Sequence, residues 1–518
     1  MPPRRLLRAP VRRALLAVAG ALFVAQGVGA CSLALDFDAE CSRDDQCGRG
    51  EECLQGFCEL PPLVDPDPNG TCTRIIGPDP READPGTVIL LGSLLPKSGD
   101  LGPLGQAMEN GVELAVTEVN QIGGVLGRKI AVLACDDGTD IEKAKRSAKH
   151  LVDVARVPAI IGAGASSITI DVFSTVARPA GVLMMSPAST SPAITSLPDD
   201  GLLWRTAPSD AIQGRAVAGL IAELGYARVA VVNRDDAYGN GLAQVVQLAL
   251  CGETGCGDAY ASYIYPPDSA DPAQATRQAA IIGELEAFTP DVVVLVGFVT
   301  DGVAFLNLAS GKGFRFILTD GMKSRTLLGD RLATPDPTEP GVVDTQILCD
   351  LVGTNPGSPN PTNFRPFEVK YEARFGGKPN NYEAQAYDAA YAIGLAYAAA
   401  EGAGHADPDG RALAVGLTRL VGGASAIRSG PDDWNVGVTA LSGGPTSLVD
   451  LTGVSGLLDF DTSTGEASGT IDLWRFAPDA ADDDQKIENL GVVLDDRGQY
   501  IAGVLTARPS GGACGSTR

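Results

Sequence analysis

One short stretch, SPASTSPAIT from Ser186 to Thr195, carries a hydroxyl on five of its ten side chains. It follows the apolar run Val182–Met185. Pro187 and Pro192 cannot extend a sheet ladder, so a strand is expected to end here and a loop to begin. Comparable punctuation recurs. Ser166 and Ser167 follow VPAIIGAG, Tyr238 follows RVAVVN, Gly297 and Phe298 follow DVVVLV, and Thr319, Asp320 and Gly321 follow RFIL. Hydroxyls and free amides at a helix start suit an anion. A carboxylate suits a cation, and two aromatic rings suit apolar surface. Gathered at one place, Ser166, Ser167, Ser189, Thr190, Tyr238, Phe298, Asp320 and Gly321 would hold a small zwitterion.

The same inventory is poor in catalytic parts. There are two histidines, His150 and His405, and His150 lies in a helical pattern expected at the surface. No G-x-S-x-G, H-E-x-x-H, G-x-x-x-x-G-K-[ST] or complete G-x-G-x-x-G occurs, and no base stands beside a nucleophile. DPDPNG opens like a calcium loop with Asp65, Asp67, Asn69 and Gly70. Its twelfth position is Ile76 where the loop needs Glu. No catalytic role, cofactor or metal is expected.

Alternating strand and helix patterns from Thr87 onward would position these tips. TVILLGSLLP reads as a strand, and the helix after it puts Met108, Val112, Ala115, Val119 and Ile122 on one face, closed by Gly123 and Gly124. KIAVLAC is the next strand, and Asp140 starts the next helix. Repeated β-α units imply parallel sheets covered on both faces, with ligands beyond the carboxyl ends of the strands. About 420 residues suffice for two such lobes.

The 518 residues carry a net charge of −24, which repels nucleic acid. Residues 1–30 run against this balance. MPPRRLLRAPVRR precedes ALLAVAGALFVA, an apolar run too short to span a bilayer but suited to a secretory signal. It ends in VGACS, which resembles the lipobox of bacterial lipoproteins. That resemblance implies cleavage before Cys31, lipidation of Cys31 and attachment to a membrane. Eleven cysteines leave ten beyond Cys31. Cys41, Cys47, Cys53 and Cys58 lie among almost no apolar side chains, so disulfides must hold that unit together. Zinc sites usually show C-x-x-C pairs, which are absent. The four are expected to pair among themselves in one of three connectivities. Cys251 and Cys256 are close enough to pair locally, and Cys72, Cys135, Cys349 and Cys514 stay unassigned. Residues 59–86, rich in Pro and acid, read as a tether.

The ordered series LPKSGDLGPLGQAMENGVELAVTEVNQIGGVLGRKI, GAGASSITI, MMSPASTSPAIT, LWRTAPSDAIQGRAVA, RVAVVNRDDAYGNGL and GLLDFDTSTGEASGTIDLWRF resembles the leucine/isoleucine/valine-binding family of periplasmic receptors for ABC importers. The resemblance covers nearly all of Thr87–Leu505. It implies an α/β fold of two Rossmann-like lobes with parallel sheets joined by three crossover strands, the type I periplasmic binding protein, preceded here by the small disulfide-rich segment 31–58. The binding domain is expected over 87–508. Lobe 1 would take about 87–206 and 323–450, and lobe 2 about 207–322 and 451–508. The crossings would fall near Arg205–Asp210, Thr319–Ser324 and Leu451–Phe460. By the same resemblance, Ser166 binds an amino-acid carboxylate with Ala188 and Thr190, and Tyr238 supplies a ring from lobe 2. Phe298 falls where branched-chain binders carry Tyr, Asp320 where they carry Glu for the ligand ammonium, and Leu104 where many carry an aromatic. These departures widen the expected ligand to small amino acids and related amides. The implied partners are that small molecule, ABC permease subunits and a membrane, with the receptor a monomer in the periplasm or cell envelope. The alternative use of such a module is ligand sensing for a membrane signalling receptor.

Overall fold

The computed structural model describes residues 41–43, 46–47, 52–54, 56–59, 63–65, 70–253, 255–331, 341–342, 344–357, 361–477, 487–495 and 498–505. The leader, Cys31 and Cys514 lie outside them. The chain divides into two compact units, Met1–Leu60 and Pro61–Arg518. In the first, strands β1 (Glu52–Leu54) and β2 (Phe57–Glu59) form an antiparallel hairpin. Disulfides Cys41–Cys53 and Cys47–Cys58 staple it. The four cysteines thus pair among themselves as expected, and the structure fixes the connectivity.

The second unit holds two large sheets. The first contains β3 (Cys72–Ile76), β4 (Val88–Leu95), β5 (Lys129–Asp136), β6 (Ala159–Gly162), β7 (Leu183–Ser186) and β8 (Leu203–Arg205), in the order β3-β5-β4-β6-β7-β8. All its pairings are parallel except β3 with β5. The second contains β9 (Val229–Arg234), β10 (Tyr260–Tyr265), β11 (Val292–Val296), β12 (Phe316–Leu318), β13 (Val352–Pro356), β16 (Ile471–Phe476) and β17 (Ile487–Leu494), in the order β10-β9-β11-β12-β13-β16-β17. A small parallel pair, β14 (Ser425–Arg428) and β15 (Val449–Thr452), lies with the helices of lobe 1. Strands β6, β7, β9 and β11 are buried along their whole length, as expected for parallel strands covered on both faces. In the helix Gly102–Gln121, Met108, Val112, Ala115 and Val119 are buried as the periodicity predicts. The Ala-rich helix Glu383–Gly402 packs so closely on it that a Cβ on Gly111 would lie 2.3 Å from the Glu383 carbonyl oxygen. No helix among the described residues is long and apolar enough to cross a membrane.

Two expected boundaries move. The tether expected over 59–86 ends earlier, because β3 pairs with β5 as an edge of the lobe 1 sheet and the disulfide Cys72–Cys135 fixes it there. Leu63 is buried, and its carbonyl meets His150 Nε2 at 2.8 Å, so His150 is a partly buried anchor point rather than a surface side chain. Only Cys72 and Ile76 of β3 are fully buried, too few apolar residues to read as a strand. The second crossing does not lie at Thr319–Ser324. After β12 the chain stays in lobe 2 through the helix Thr345–Asp350 and β13, which pairs with β12 and β16. It reaches lobe 1 only at the helix Pro361–Phe375, where Phe367 packs on Tyr387 and Arg374 pairs with Glu113. The sequence VGTNP of β13 offers no apolar run, so nothing local marks it as a strand. The third crossing follows β15 and continues to β16. The local disulfide Cys251–Cys256 forms as expected, and Cys349 is also disulfide-bonded.

Candidate functional site

The carboxyl ends of the lobe 1 strands carry the hydroxyl-rich loop. Ser186, the last residue of β7, donates its hydroxyl to the Ala163 carbonyl at 2.6 Å and accepts the Ser189 N–H at 2.9 Å. Ser189 Oγ lies 2.7 Å from Thr169 Oγ1. These two hydroxyls build the loop itself. Ser166 starts the helix Ser166–Val172, whose N-cap is Ala165, so neither Ser166 nor Ser167 is the cap that the sequence suggested. Ser166 Oγ instead accepts the Ser191 N–H at 3.2 Å. Ser167 Oγ accepts the Ala237 N–H of lobe 2 at 2.9 Å, and Ser191 Oγ donates to the Ala237 carbonyl at 2.6 Å. Thr190 is fully buried, and its Oγ1 donates to Asp210 Oδ2 at 3.0 Å. Its own N–H has no hydrogen-bond partner among the described residues.

Lobe 2 supplies the opposite wall. Tyr238 enters in the first turn of the helix Ala237–Cys251, which Asp236 caps by accepting the Gly239 N–H. Its hydroxyl donates to Asp320 Oδ1 at 2.8 Å and lies 2.8 Å from Thr319 Oγ1. The Gly321 N–H reaches the same hydroxyl at 3.3 Å. A Cβ on Gly321 would stand 2.6 Å from the Gly297 carbonyl oxygen and 2.9 Å from Phe298 Cδ1, so only glycine lets these two tips close together. Phe298 stacks on Tyr238 with ring centroids 5.5 Å apart, and the Arg234 guanidinium sits 3.7 Å from the Phe298 centroid. Leu104, Ala188, Tyr238 and Phe298 belong to one continuous buried apolar cluster.

Three further residues meet here that no local sequence pattern marks. Tyr382 OH donates to Asp320 Oδ2, and Asn381 Nδ2 donates to the Asp320 carbonyl at 2.8 Å. Both come from lobe 1, just ahead of the helix Glu383–Gly402. Asp210 is the third. In APSDAIQ it reads as an acidic residue helping to start a helix, and its neighbour Ser209 is indeed the N-cap. The fold nonetheless buries Asp210 completely, bonded to Thr190 through one oxygen, while Oδ1 has no partner among the described residues. A buried acid with an unpaired oxygen was the available signal, and only the fold reveals it.

The electrostatics single out Asp210 and Asp320. Burial, and then the charge of Asp320, holds the Asp210 carboxyl well above its ordinary value of 3.8. Burial also raises Asp320, against the hydrogen bonds from Tyr382 and Tyr238. Two carboxyls that resist joint ionisation in a dry site are chemically suited to a cation. At the neighbouring strand tips, the Thr190 N–H, Ser166 Oγ and the first-turn amides of Ser166–Val172 are donors suited to an anion.

A sequence model of a periplasmic binding protein matches residues 88–468, more than half of the chain. Leu/Ile/Val-binding protein homolog 8 of Brucella abortus is 27% identical over 362 residues, covering 66% of this chain and 83% of that one. Leu/Ile/Val-binding protein BraC3 of Rhizobium johnstonii is 31% identical over 163 residues, covering 31% of this chain and 44% of that one, so this match spans under half of that relative's length. Among solved structures, the leucine binding protein LivK of Thermotoga maritima superposes with a TM-score of 0.61 over 78% of this chain and 98% of that one at 20% identity, which shows the shared fold. The two sheets, their crossings and this breadth of match agree: the chain belongs to the periplasmic binding protein family.

Proposed function

We propose that this protein captures a small α-amino acid between its two lobes, outside the cytoplasm, and delivers it to an ABC-type importer while Cys31 holds it to a membrane by lipid. One observation carries the reading of the ligand. Asp210 and Asp320 form a buried acidic pair, and the donors of Ser166 and Thr190 lie at neighbouring strand tips. The pair receives the ammonium, and the Thr190 N–H, Ser166 Oγ and helix amides receive the carboxylate. Each ligand charge leaves water on closure, so each needs its partner. Leu104, Phe298 and Tyr238 provide apolar surface for the side chain. The names of the relatives, which refer to leucine, isoleucine and valine, support an aliphatic side chain.

Titration calorimetry of the purified mature protein against a panel of L-amino acids tests this. Binding of at least one aliphatic amino acid is expected, with loss of binding when its carboxylate is amidated or its ammonium acetylated. A panel in which no amino acid binds overturns the zwitterion assignment and turns the search to neutral amides and organic acids.

A further inference from the structure

Arg205 ends β8 and is 1% exposed. Against the larger effect of burial, its charge lowers the Asp210 carboxyl, but among the described residues its side-chain hydrogen bonds all go to the hydroxyl-rich loop and to Glu466. Nη1 donates to the Ser189 carbonyl at 3.2 Å and the Ser191 carbonyl at 2.9 Å. Nη2 donates to Thr195 Oγ1 at 3.0 Å and pairs with the Glu466 carboxylate. The main chain of Arg205 is also held: its N–H donates to Gly465 O at 2.9 Å, and Ala467 N–H donates to its carbonyl at 3.2 Å.

Peptide planarity gives this arrangement a direction. In a trans peptide the C=O and N–H point opposite ways. With the Ser189 carbonyl turned onto Arg205, the Thr190 N–H of the same peptide must point away from Arg205. The next peptide is pinned from the other side, because the Thr190 carbonyl accepts the Asp210 N–H at 2.8 Å and the Ser191 N–H is thereby sent to Ser166 Oγ. Two successive peptides are thus fixed in alternating senses, the first by a cation and the second by lobe 2. We propose that Arg205 is the positioning residue of the anion-binding loop: it turns the 189–190 peptide so that the Thr190 N–H faces the cleft. Through Gly465, Glu466 and Ala467 it also ties that peptide to the third crossing between the lobes. The planar fork is needed, since a lysine ammonium cannot serve both carbonyls, Thr195 and Glu466 in one plane.

This inference rests on the amino-acid reading for its effect on affinity, but it can be tested without a ligand. The variants are Arg205→Lys, Arg205→Met and Glu466→Gln, each in the full mature chain. Amide hydrogen exchange of the segment 186–196 in the ligand-free protein is the first readout. Affinity for whichever L-amino acid binds the wild type is the second, and melting temperature is the third. Arg205→Lys keeps a charge beside Glu466. It is expected to retain most of the melting temperature, yet to exchange about tenfold or more faster in 186–196 and to bind about tenfold or more weakly. Glu466→Gln keeps the fork on both carbonyls and is expected to stay near wild type in both readouts. Arg205→Met should match or exceed the losses of Arg205→Lys; if it does not fold, Arg205→Lys and Glu466→Gln decide. The proposal is overturned if Arg205→Lys exchanges at the wild-type rate in 186–196, or if Glu466→Gln loses as much as Arg205→Lys, since the ion pair alone would then explain the residue. If the wild type binds no amino acid, the amino-acid reading fails while the exchange result still decides the role of Arg205.

Discussion

Asp100 of lobe 1 and Ser269 of lobe 2 meet across the mouth of the cleft. The Ser269 N–H donates to Asp100 Oδ2 at 3.3 Å and its hydroxyl to Oδ1. Arg234 Nη2 stands 3.9 Å from the same carboxylate, and Thr300 Oγ1 donates to the Asp100 carbonyl at 3.4 Å. Arg234 is itself buried between Asp236 at 2.5 Å and Asp301 at 3.2 Å, and it lies against Phe298. One lobe 1 carboxylate therefore engages the element that backs the lobe 2 ring.

Asp100→Ala removes that engagement and leaves Ser166, Thr190, Asp210 and Asp320 in place. Loss of a hydrogen-bonded charge is expected to cost about 1.5–3 kcal/mol of closure, roughly ten- to a hundredfold in affinity. The loss should appear as faster dissociation with little change in association, measured by stopped-flow displacement of a bound amino acid. Equal dissociation rates for variant and wild type would remove Asp100 from the closure mechanism.

Within the site, Asp320→Ala strands a buried ligand ammonium and is expected to cost about 2–5 kcal/mol in affinity. Ser166→Ala removes one hydrogen bond to a charged group but keeps the helix amides, so about 1.5–3 kcal/mol is expected. Asp210→Asn keeps an oxygen for Thr190 and removes one charge, and its cost should fall between zero and that of Asp320→Ala. Calorimetric titration of the three variants gives the order. An Asp320→Ala protein with wild-type affinity contradicts the ammonium assignment.

Proton linkage provides an independent check. Both Asp210 and Asp320 are raised above 3.8 in the folded protein. In the window below their raised values, the free site holds a proton that an incoming ammonium must displace. Binding therefore releases protons, and affinity falls as pH drops through this window. Calorimetry in two buffers of different ionisation enthalpy should show the release, and Asp210→Asn should diminish it. A binding heat that does not depend on the buffer at any pH in the window would mean that the pair does not face the ligand charge.

Cys31→Ser is expected to move the mature protein from the membrane fraction into the soluble exported fraction. Intact-mass measurement of the wild type should show acyl groups on Cys31. A wild-type mass without acyl groups, together with a Ser variant that stays with the membrane, rejects the anchor.

Much of this architecture is visible in the sequence because parallel strands covered on both faces must be apolar throughout. VVVLV and AVVN announce β11 and β9 without any neighbour. Strand-tip logic then names Tyr238, Phe298 and Asp320, and the structure brings all three into contact or stacking. Other features are hidden for identifiable reasons. The strand β13 carries Gly, Thr, Asn and Pro, and is held by its partners rather than by its own pattern, so the second crossing is misplaced without it. Asp210 looks like helix-start chemistry, because helix starts favour acids whether or not a ligand is near. Of the hydroxyls in SPASTSPAIT, Ser186 and Ser189 fold the loop, Ser191 joins the lobes and Thr190 holds Asp210. That division of labour depends on contacts with Ala163, Thr169, Ala237 and Asp210, which no local spacing encodes.

Asp137 offers a stability test that needs no ligand. It ends the run KIAVLACDD at the carboxyl end of β5 and is completely buried. Oδ1 accepts the Thr139 N–H at 2.8 Å, while Oδ2 has no partner among the described residues. Burial pushes its carboxyl up to about 7, helped by the charge of Asp136 and opposed by Lys143 and Lys97. Between the unfolded value of 3.8 and about 7 the folded state binds more protons than the unfolded state, so stability falls as pH rises through that window and levels off above it. Asp137→Asn keeps an oxygen for Thr139 and cannot ionise, though its amide leaves a buried donor unpaired. The variant should therefore be more stable than wild type at about pH 8 by roughly 1–3 kcal/mol, with the advantage shrinking or reversing near pH 5. Urea unfolding at both pH values measures the difference, and the titration of every other group largely cancels in the comparison. Identical pH slopes for the two proteins would mean that Asp137 keeps an ordinary carboxylate pKa in the fold and that Oδ2 is reached by solvent.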